Sequence, residues 1–140
     1  MSRSQASPFQ ERLVTRLAGR VPTTVEDPLL ARAAVALVVV PDPDALLLIR
    51  RAERAGDPWS GQMGLPGGRS SPEDPNLLET AIRETREEVG ISLLREELVG
   101  PLDDVAPRSP HLPPLMVRPF LFALSRRPVV TPNSEVAEHL

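Results

Sequence analysis

Apolar residues recur at two different periods along this chain, and each period predicts its own kind of element. Phe9, Leu13 and Leu17 stand at helical spacing behind Ser7 as N-cap, Pro8 at the first helical position and Gln10 three residues past the cap. An amphipathic helix is therefore predicted as far as Gly19. Residues 20–32 read as a proline-containing connection. Ala33–Val40 and Ala45–Arg50 are β-rich apolar runs around Pro41-Asp42-Pro43-Asp44, which predicts two strands joined by a turn. Arg51 to Gly64 carries charges, Gly56, Pro58 and Gly61 without a period, so it reads as a long loop, a feature that tends to be functional in compact domains. Leu65-Pro66-Gly67-Gly68 closes it.

The helical period returns further on. Asp74 as N-cap and Pro75 at the first helical position open a helix predicted over about 75–89. At about 100° per residue, Leu78, Ala81, Ile82, Thr85 and Val89 share one arc, and Glu84, Glu87 and Glu88 the neighbouring one. Glu97–Asp104 and Leu115–Leu124 predict further strands, with Pro119 indicating an edge or a bulge in the second. Between them PRSPHLPP forms a stiff loop. The order helix, strands, helix, strands predicts a mixed α+β domain spanning 1–140, of which 1–30 are the N-terminal helix and connection.

Composition narrows the chemistry. At 140 residues and 41% hydrophobic content, the chain is long enough for one core and short for two. A net charge of −3 without a basic run argues against a nucleic-acid polymer as partner and leaves small anionic ligands open. There is no cysteine, so any metal must be held by oxygen or histidine. The longest apolar run, 33–40, is far short of the roughly 20 residues that cross a bilayer, and no signal-peptide core stands at the N-terminus. A cytoplasmic protein without membrane contact is expected.

The stretch Arg83-Glu84-Thr85-Arg86-Glu87-Glu88-Val89-Gly90 is electrostatically odd. Glu84 faces Glu87 and Glu88 at i+3 and i+4, each like-charge pair costing about 0.2–0.5 kcal/mol. All three acids crowd a helix C-terminus, which favours cations, just before Gly90 as C′ residue. One reading is a solvated face paired with Arg83 and Arg86. The other is a site for a hard divalent cation, Mg²⁺ with Mn²⁺ as alternative, which would turn the repulsion into binding and share its shell with phosphate oxygens. The Gly67-Gly68 loop beside it offers carbonyls that no side chain obstructs.

Residues 68–91 resemble the Nudix box, G-x5-E-x7-R-E-U-x-E-E-x-G-U, where U is apolar. Arg83 to Ile91 match its second half, with Thr85 in an apolar slot. In the first half Asp74 stands in place of Glu, and eight residues separate it from Arg83. The resemblance implies a Nudix fold from about residue 33 onward: a mixed β-sheet sandwiched between helices (α/β/α), with 65–91 as loop-helix-loop. It implies Glu84, Glu87, Glu88 and the Gly67 carbonyl as metal ligands, Arg83 as the residue that orients Glu87, and Glu135 as a late catalytic acid. Glu84, Glu87, Arg83 and Glu135 are the expected catalytic group; Arg51, Trp59 and Gly68 are the expected substrate contacts. Relatives usually continue past the position of Leu140 into a strand and a closing helix, so these are expected to be missing or short, and a homodimer is expected to cover the apolar surface left.

The implied activity is Mg²⁺-dependent hydrolysis of a nucleoside diphosphate linked to another group. The segment LLLIRRAERAGDPWSGQMGLPGG, then Leu102-Asp103-Asp104-Val105, Val117-Arg118-Pro119-Phe120 and Pro132-Asn133-Ser134-Glu135-Val136, resemble the coenzyme A diphosphatase branch, implying coenzyme A or an acyl derivative. Asp57-Pro58-Trp59 stand where that branch has a histidine. The alternatives are ADP-ribose or nucleoside triphosphate hydrolysis, and a Nudix-fold module that binds a nucleotide without cleaving it. Arg50 and Arg54 join Arg51 as possible phosphate contacts; His111 reads as a loop residue.

Overall fold

A computed structural model describes residues 6–52, 55, 61–107, 114–134 and, as backbone, 136–139. Helix α1 spans Pro8–Leu17 and begins as its sequence predicts: Ser7 Oγ accepts the Gln10 N–H, and Gln10 Oε1 accepts the Ser7 N–H. Strand β1 (Ala31–Val40) runs parallel to β7 (Leu115–Ala123), from Ala31 opposite Leu115 to Val39 opposite Ala123. Around this pair the short strands β2 (Ala45–Leu46) and β5 (Gly67–Arg69) both lie antiparallel to β1, and β6 (Leu98–Pro101) lies antiparallel to β7. A second, antiparallel sheet holds β3 (Ile49–Arg51) between β4 (Met63–Gly64) and β8 (Val136–His139). Helix α2 covers Leu77–Val89.

The helices take opposite faces of the larger sheet, because alternate residues of a strand point to opposite sides. On one face Ala34, Ala36 and Val38 of β1 with Met116, Phe120 and Phe122 of β7 pack on Leu77, Ala81 and Val89 of α2. The small Ala34, Ala36 and Ala81 let helix and sheet approach closely, while Phe122, fully buried, fills the space beside them; truncating such a phenylalanine to alanine costs roughly 3–5 kcal/mol. On the other face Leu37, Val39 and Leu121 lie near Phe9, Leu13 and Leu17 of α1. The fold is thus α+β, a mixed sheet between two helices. Among the described residues no helix is long and apolar enough to cross a membrane.

Three sequence expectations need correction. The run 45–50 is not one strand: Ala45–Leu46 pair with β1, and Ile49–Arg51 join the second sheet. Leu47 and Ile49 are both buried, so the chain passes between the sheets through apolar surroundings that leave no polar mark in the sequence. The segment 51–64 is not all loop, since Arg50 pairs with Met63 and the Arg51 N–H donates to Gln62 O. Pro119 sits in an interior strand; its carbonyl accepts the Leu102 N–H on the β6 flank, so its missing donor also faces that flank, just past the end of β6 at Pro101, and costs no ladder bond there. The bulge lies on β6, between Leu98 and Gly100. The C-terminal strand, expected to be missing or short, is short: it is the four residues of β8.

Asp104 ties the connection after α1 to this frame. Its fully buried carboxylate accepts from Arg118 Nε at 2.8 Å and from the Val25 N–H at 2.8 Å. The Arg118 guanidinium, first among the causes, holds the Asp104 carboxyl below its ordinary pKa.

Candidate functional site

The site forms where β5 passes beneath α2, and two glycines make that passage possible. A Cβ on Gly67 would lie 2.2 Å from the Ala34 carbonyl oxygen and 2.6 Å from Val35 Cα, so only glycine lets β5 close on β1. A Cβ on Gly68 would lie 2.6 Å from Glu84 Cδ, so the Glu84 carboxylate rests directly over this glycine. The Gly67 N–H turns away from β1 and donates to Glu88 Oε1 at 2.9 Å. In an extended strand the carbonyl of a residue points to the same side as its N–H, so the Gly67 carbonyl also faces the acidic helix.

Helix α2 does not begin where Asp74-Pro75 predicts. Its N-cap is Asn76, whose Oδ1 accepts the Glu79 N–H at 2.9 Å. Asp74 is engaged elsewhere: its carboxylate accepts from the Ser71 N–H, from Thr80 Oγ1 and, bidentately, from Arg83 Nε at 3.0 Å and Nη2 at 2.9 Å. These charge-assisted bonds, above all that with Arg83, hold the Asp74 carboxyl far below the usual carboxylate range, and Asp74 in turn raises Arg83 above its ordinary value. Asp74 is the site residue that sequence reasoning set aside as a cap. The signal for it was its place in the box, one residue out of step.

Anchored from behind, Arg83 reaches forward. Its Nη1 donates to Glu84 Oε2 at 3.1 Å and to Glu87 Oε2 at 2.9 Å, and its Nη2 also meets the Arg69 carbonyl at 3.3 Å. One guanidinium therefore draws together two of the three repelling acids. Glu88 is buried, 1% exposed, with Arg51 Nη1 3.6 Å from its Oε2. The Glu87 side chain is 49% exposed and is the acid most open to solvent.

The helix end is closed locally as well. Gly90, at φ 72°, adopts the left-handed conformation that ends helices. The Thr131 and Asn133 N–H groups donate to the carbonyls of Val89 and Glu88, satisfying acceptors that a helix end leaves open. The segment after β7 is thereby tied to the acidic turn.

The structure thus brings Arg51, Gly67, Gly68, Arg83, Glu84, Glu87 and Glu88 to one region. Trp59, Glu135, Arg54 and His111 lie outside the described residues. Among the described residues no three carboxylate or imidazole side chains converge on a point that would hold an ion. The reason is visible in the pairings, because Arg83 takes Glu84 and Glu87 while the Gly67 N–H and Arg51 take Glu88. The donor set itself is all oxygen, three carboxylates on one helical turn beside a glycine carbonyl. That chemistry fits a hard cation such as Mg²⁺ and gives no ligand for a soft one.

A family model described as NUDIX domain matches residues 30–138. An uncharacterised protein of Schizosaccharomyces pombe is 44% identical over 87 residues, 59% of this chain and 26% of that protein. The mitochondrial coenzyme A diphosphatase NUDT8 of Mus musculus is 36% identical over 81 residues, 58% of this chain and 39% of that one. The chain therefore spans between about a quarter and two-fifths of the length of these relatives. Among solved structures, a MutT/nudix family protein from Enterococcus faecalis superposes with a TM-score of 0.68 at 21% identity, over 97% of this chain and 51% of that one, a likeness of fold.

Proposed function

From the premise that the chain belongs to the Nudix family, whose domain spans residues 30–138, we propose that it hydrolyses a diphosphate bond in a nucleoside diphosphate linked to another group, with Mg²⁺ or Mn²⁺ as cofactor. The observation that carries this reading is Arg83: fixed by Asp74, it gathers Glu84 and Glu87 beside the buried Glu88, which the Gly67 N–H holds. Acids so assembled at the unfavourable end of a helix are what a divalent ion requires, and a purely nucleotide-binding module would not need them.

In this reading Glu84, Glu87, Glu88 and the Gly67 carbonyl hold the ion. When bound, it neutralises charge on the phosphate oxygens and acidifies water. The chain's own residues supply the rest. Glu87, which accepts from Arg83 Nη1 and is the most exposed of the three, takes the proton from attacking water. Gly68, lacking a side chain, leaves the Glu84 carboxylate undisplaced above the strand. Arg51 supplies positive charge at the edge of the same site.

For the substrate we favour coenzyme A or an acyl derivative. The support is the likeness to the mouse coenzyme A diphosphatase and the matching segments around Leu102–Val105 and Val117–Phe120. The test is a panel of coenzyme A, ADP-ribose, dinucleoside polyphosphates and oxidised deoxynucleotides with Mg²⁺, read as released nucleoside monophosphate or phosphate. Turnover on one member of the panel, lost at least about 100-fold in Glu87→Gln with an unchanged unfolding midpoint, is the expected result. Full activity in Glu87→Gln would overturn the assignment.

A further inference from the structure

Arg51 is held in place by its own backbone. Its N–H donates to Gln62 O, its carbonyl accepts the Gly61 N–H, and the β3–β8 register shifts between Arg50 and Arg51. From this fixed backbone the guanidinium reaches the buried Glu88 yet is only partly engaged. Its Nη1 is 3.6 Å from Glu88 Oε2, long for a direct hydrogen bond. Its Nε is buried and meets no acceptor among the described residues. A buried donor without an acceptor is costly, and a buried carboxylate is costly without a counter-charge. The second cost explains why Arg51 is there, and the first implies that an acceptor is still to come.

Resting on the metal-site reading above, we propose that Arg51 is the resident counter-charge of Glu88, which weakens the hold of that acid on a divalent cation until a phosphate oxygen of the substrate draws the guanidinium away. The two positive charges compete for one carboxylate, so the ion is held loosely in the free protein. A diphosphate offers Arg51 both the acceptor its Nε lacks and a replacement for Glu88. Ion and substrate then favour each other's binding through one arginine, a coupling that is reciprocal by linkage. Arg51 acts here through Glu88 and is a positioning residue in the substrate-free protein.

The experiment is a titration of Mn²⁺ without substrate, followed by the electron paramagnetic resonance of the free ion, alongside thermal unfolding with and without Mg²⁺. Removing one competing charge at this distance should tighten Mn²⁺ binding by about tenfold in Arg51→Gln, whereas Arg51→Lys should stay within about threefold of the wild type. Arg51→Gln should also unfold at a lower temperature without the ion and gain more from its addition. A residue that only supported the fold would lower the unfolding midpoint without tightening Mn²⁺ binding. Equal or weaker Mn²⁺ binding by Arg51→Gln, with the wild type binding normally, overturns the proposal and leaves the metal site standing. No Mn²⁺ binding by the wild type overturns the metal site and this proposal with it. If Arg51→Gln does not fold, Arg51→Met, which keeps the aliphatic stem, is judged by the same criterion. Failure of both to fold counts against the proposal, because a counter-charge displaced in normal function is not one the fold depends on.

Discussion

Replacing Asp74 by asparagine should both destabilise the protein and loosen its acidic site. The Asp74 side chain is 6% exposed and accepts four hydrogen bonds, from Ser71, Thr80 and two nitrogens of Arg83. Asparagine retains one acceptor oxygen and turns an NH₂ group towards the remaining donors, so at least one N–H meets another. Breaking a buried ion pair from one side costs roughly 3–5 kcal/mol. Here the Arg83 side chain is 28% exposed and keeps Glu84 and Glu87 as partners, so we expect the lower figure of about 2–3 kcal/mol. For a chain of this size that corresponds to a fall in Tm of about 6–12 °C. The pH dependence has a definite sign. The folded pKa of Asp74 lies below its ordinary 3.8, so its contribution is fully present above about pH 4 and fades as the pH drops further. Thermal unfolding of both proteins should show a gap that is flat from about pH 8 to 5 and closes below about pH 4. A fall of less than about 2 °C at neutral pH, or a gap that widens on acidification, would refute the role assigned to Asp74.

Gly68→Ala places a methyl group against the Glu84 carboxylate while its backbone conformation remains ordinary; kcat/KM should fall by about 100-fold with a small change in Tm, and unchanged activity would show that Glu84 need not lie there. Gln10 is 1% exposed, and its Nε2 donates to the Leu124 carbonyl at 2.7 Å and the Val39 carbonyl at 3.3 Å. Gln10→Ala should therefore cost about 1–3 kcal/mol in urea unfolding and expose α1 to proteolysis, without changing Mn²⁺ binding.

The parts of this protein that could be read from its sequence are those whose signals are local. The capping box at Ser7, the apolar runs of β1 and β7 and the glycine that ends α2 each lie within a few residues of the element they specify. Asp74 shows where such reading fails. Asp-Pro is sound grammar for a helix start, but a guanidinium nine residues away outbids the local cap and Asn76 takes the role. The split between β2 and β3 was hidden because both halves are apolar, so no change of pattern marks the crossing. Gly68 and Arg51 were singled out for contact with a ligand. Their partners in the fold, Glu84 and Glu88, depend on how β5 and β3 are brought to α2, which no spacing in the sequence encodes. The three glutamates were legible as a group, but their division between Arg83 on one side and Arg51 with Gly67 on the other was not.

The central claim is that these glutamates exist to hold a divalent cation, and crystals grown with Mn²⁺ test it most directly. The account predicts an anomalous peak between α2 and β5, about 2.0–2.2 Å from carboxylate oxygens of the Glu84, Glu87 and Glu88 set, with Glu87 turned from Arg83 towards it. A map without that peak at saturating Mn²⁺, with Glu87 still on Arg83 and Glu88 still beside Arg51, would contradict it.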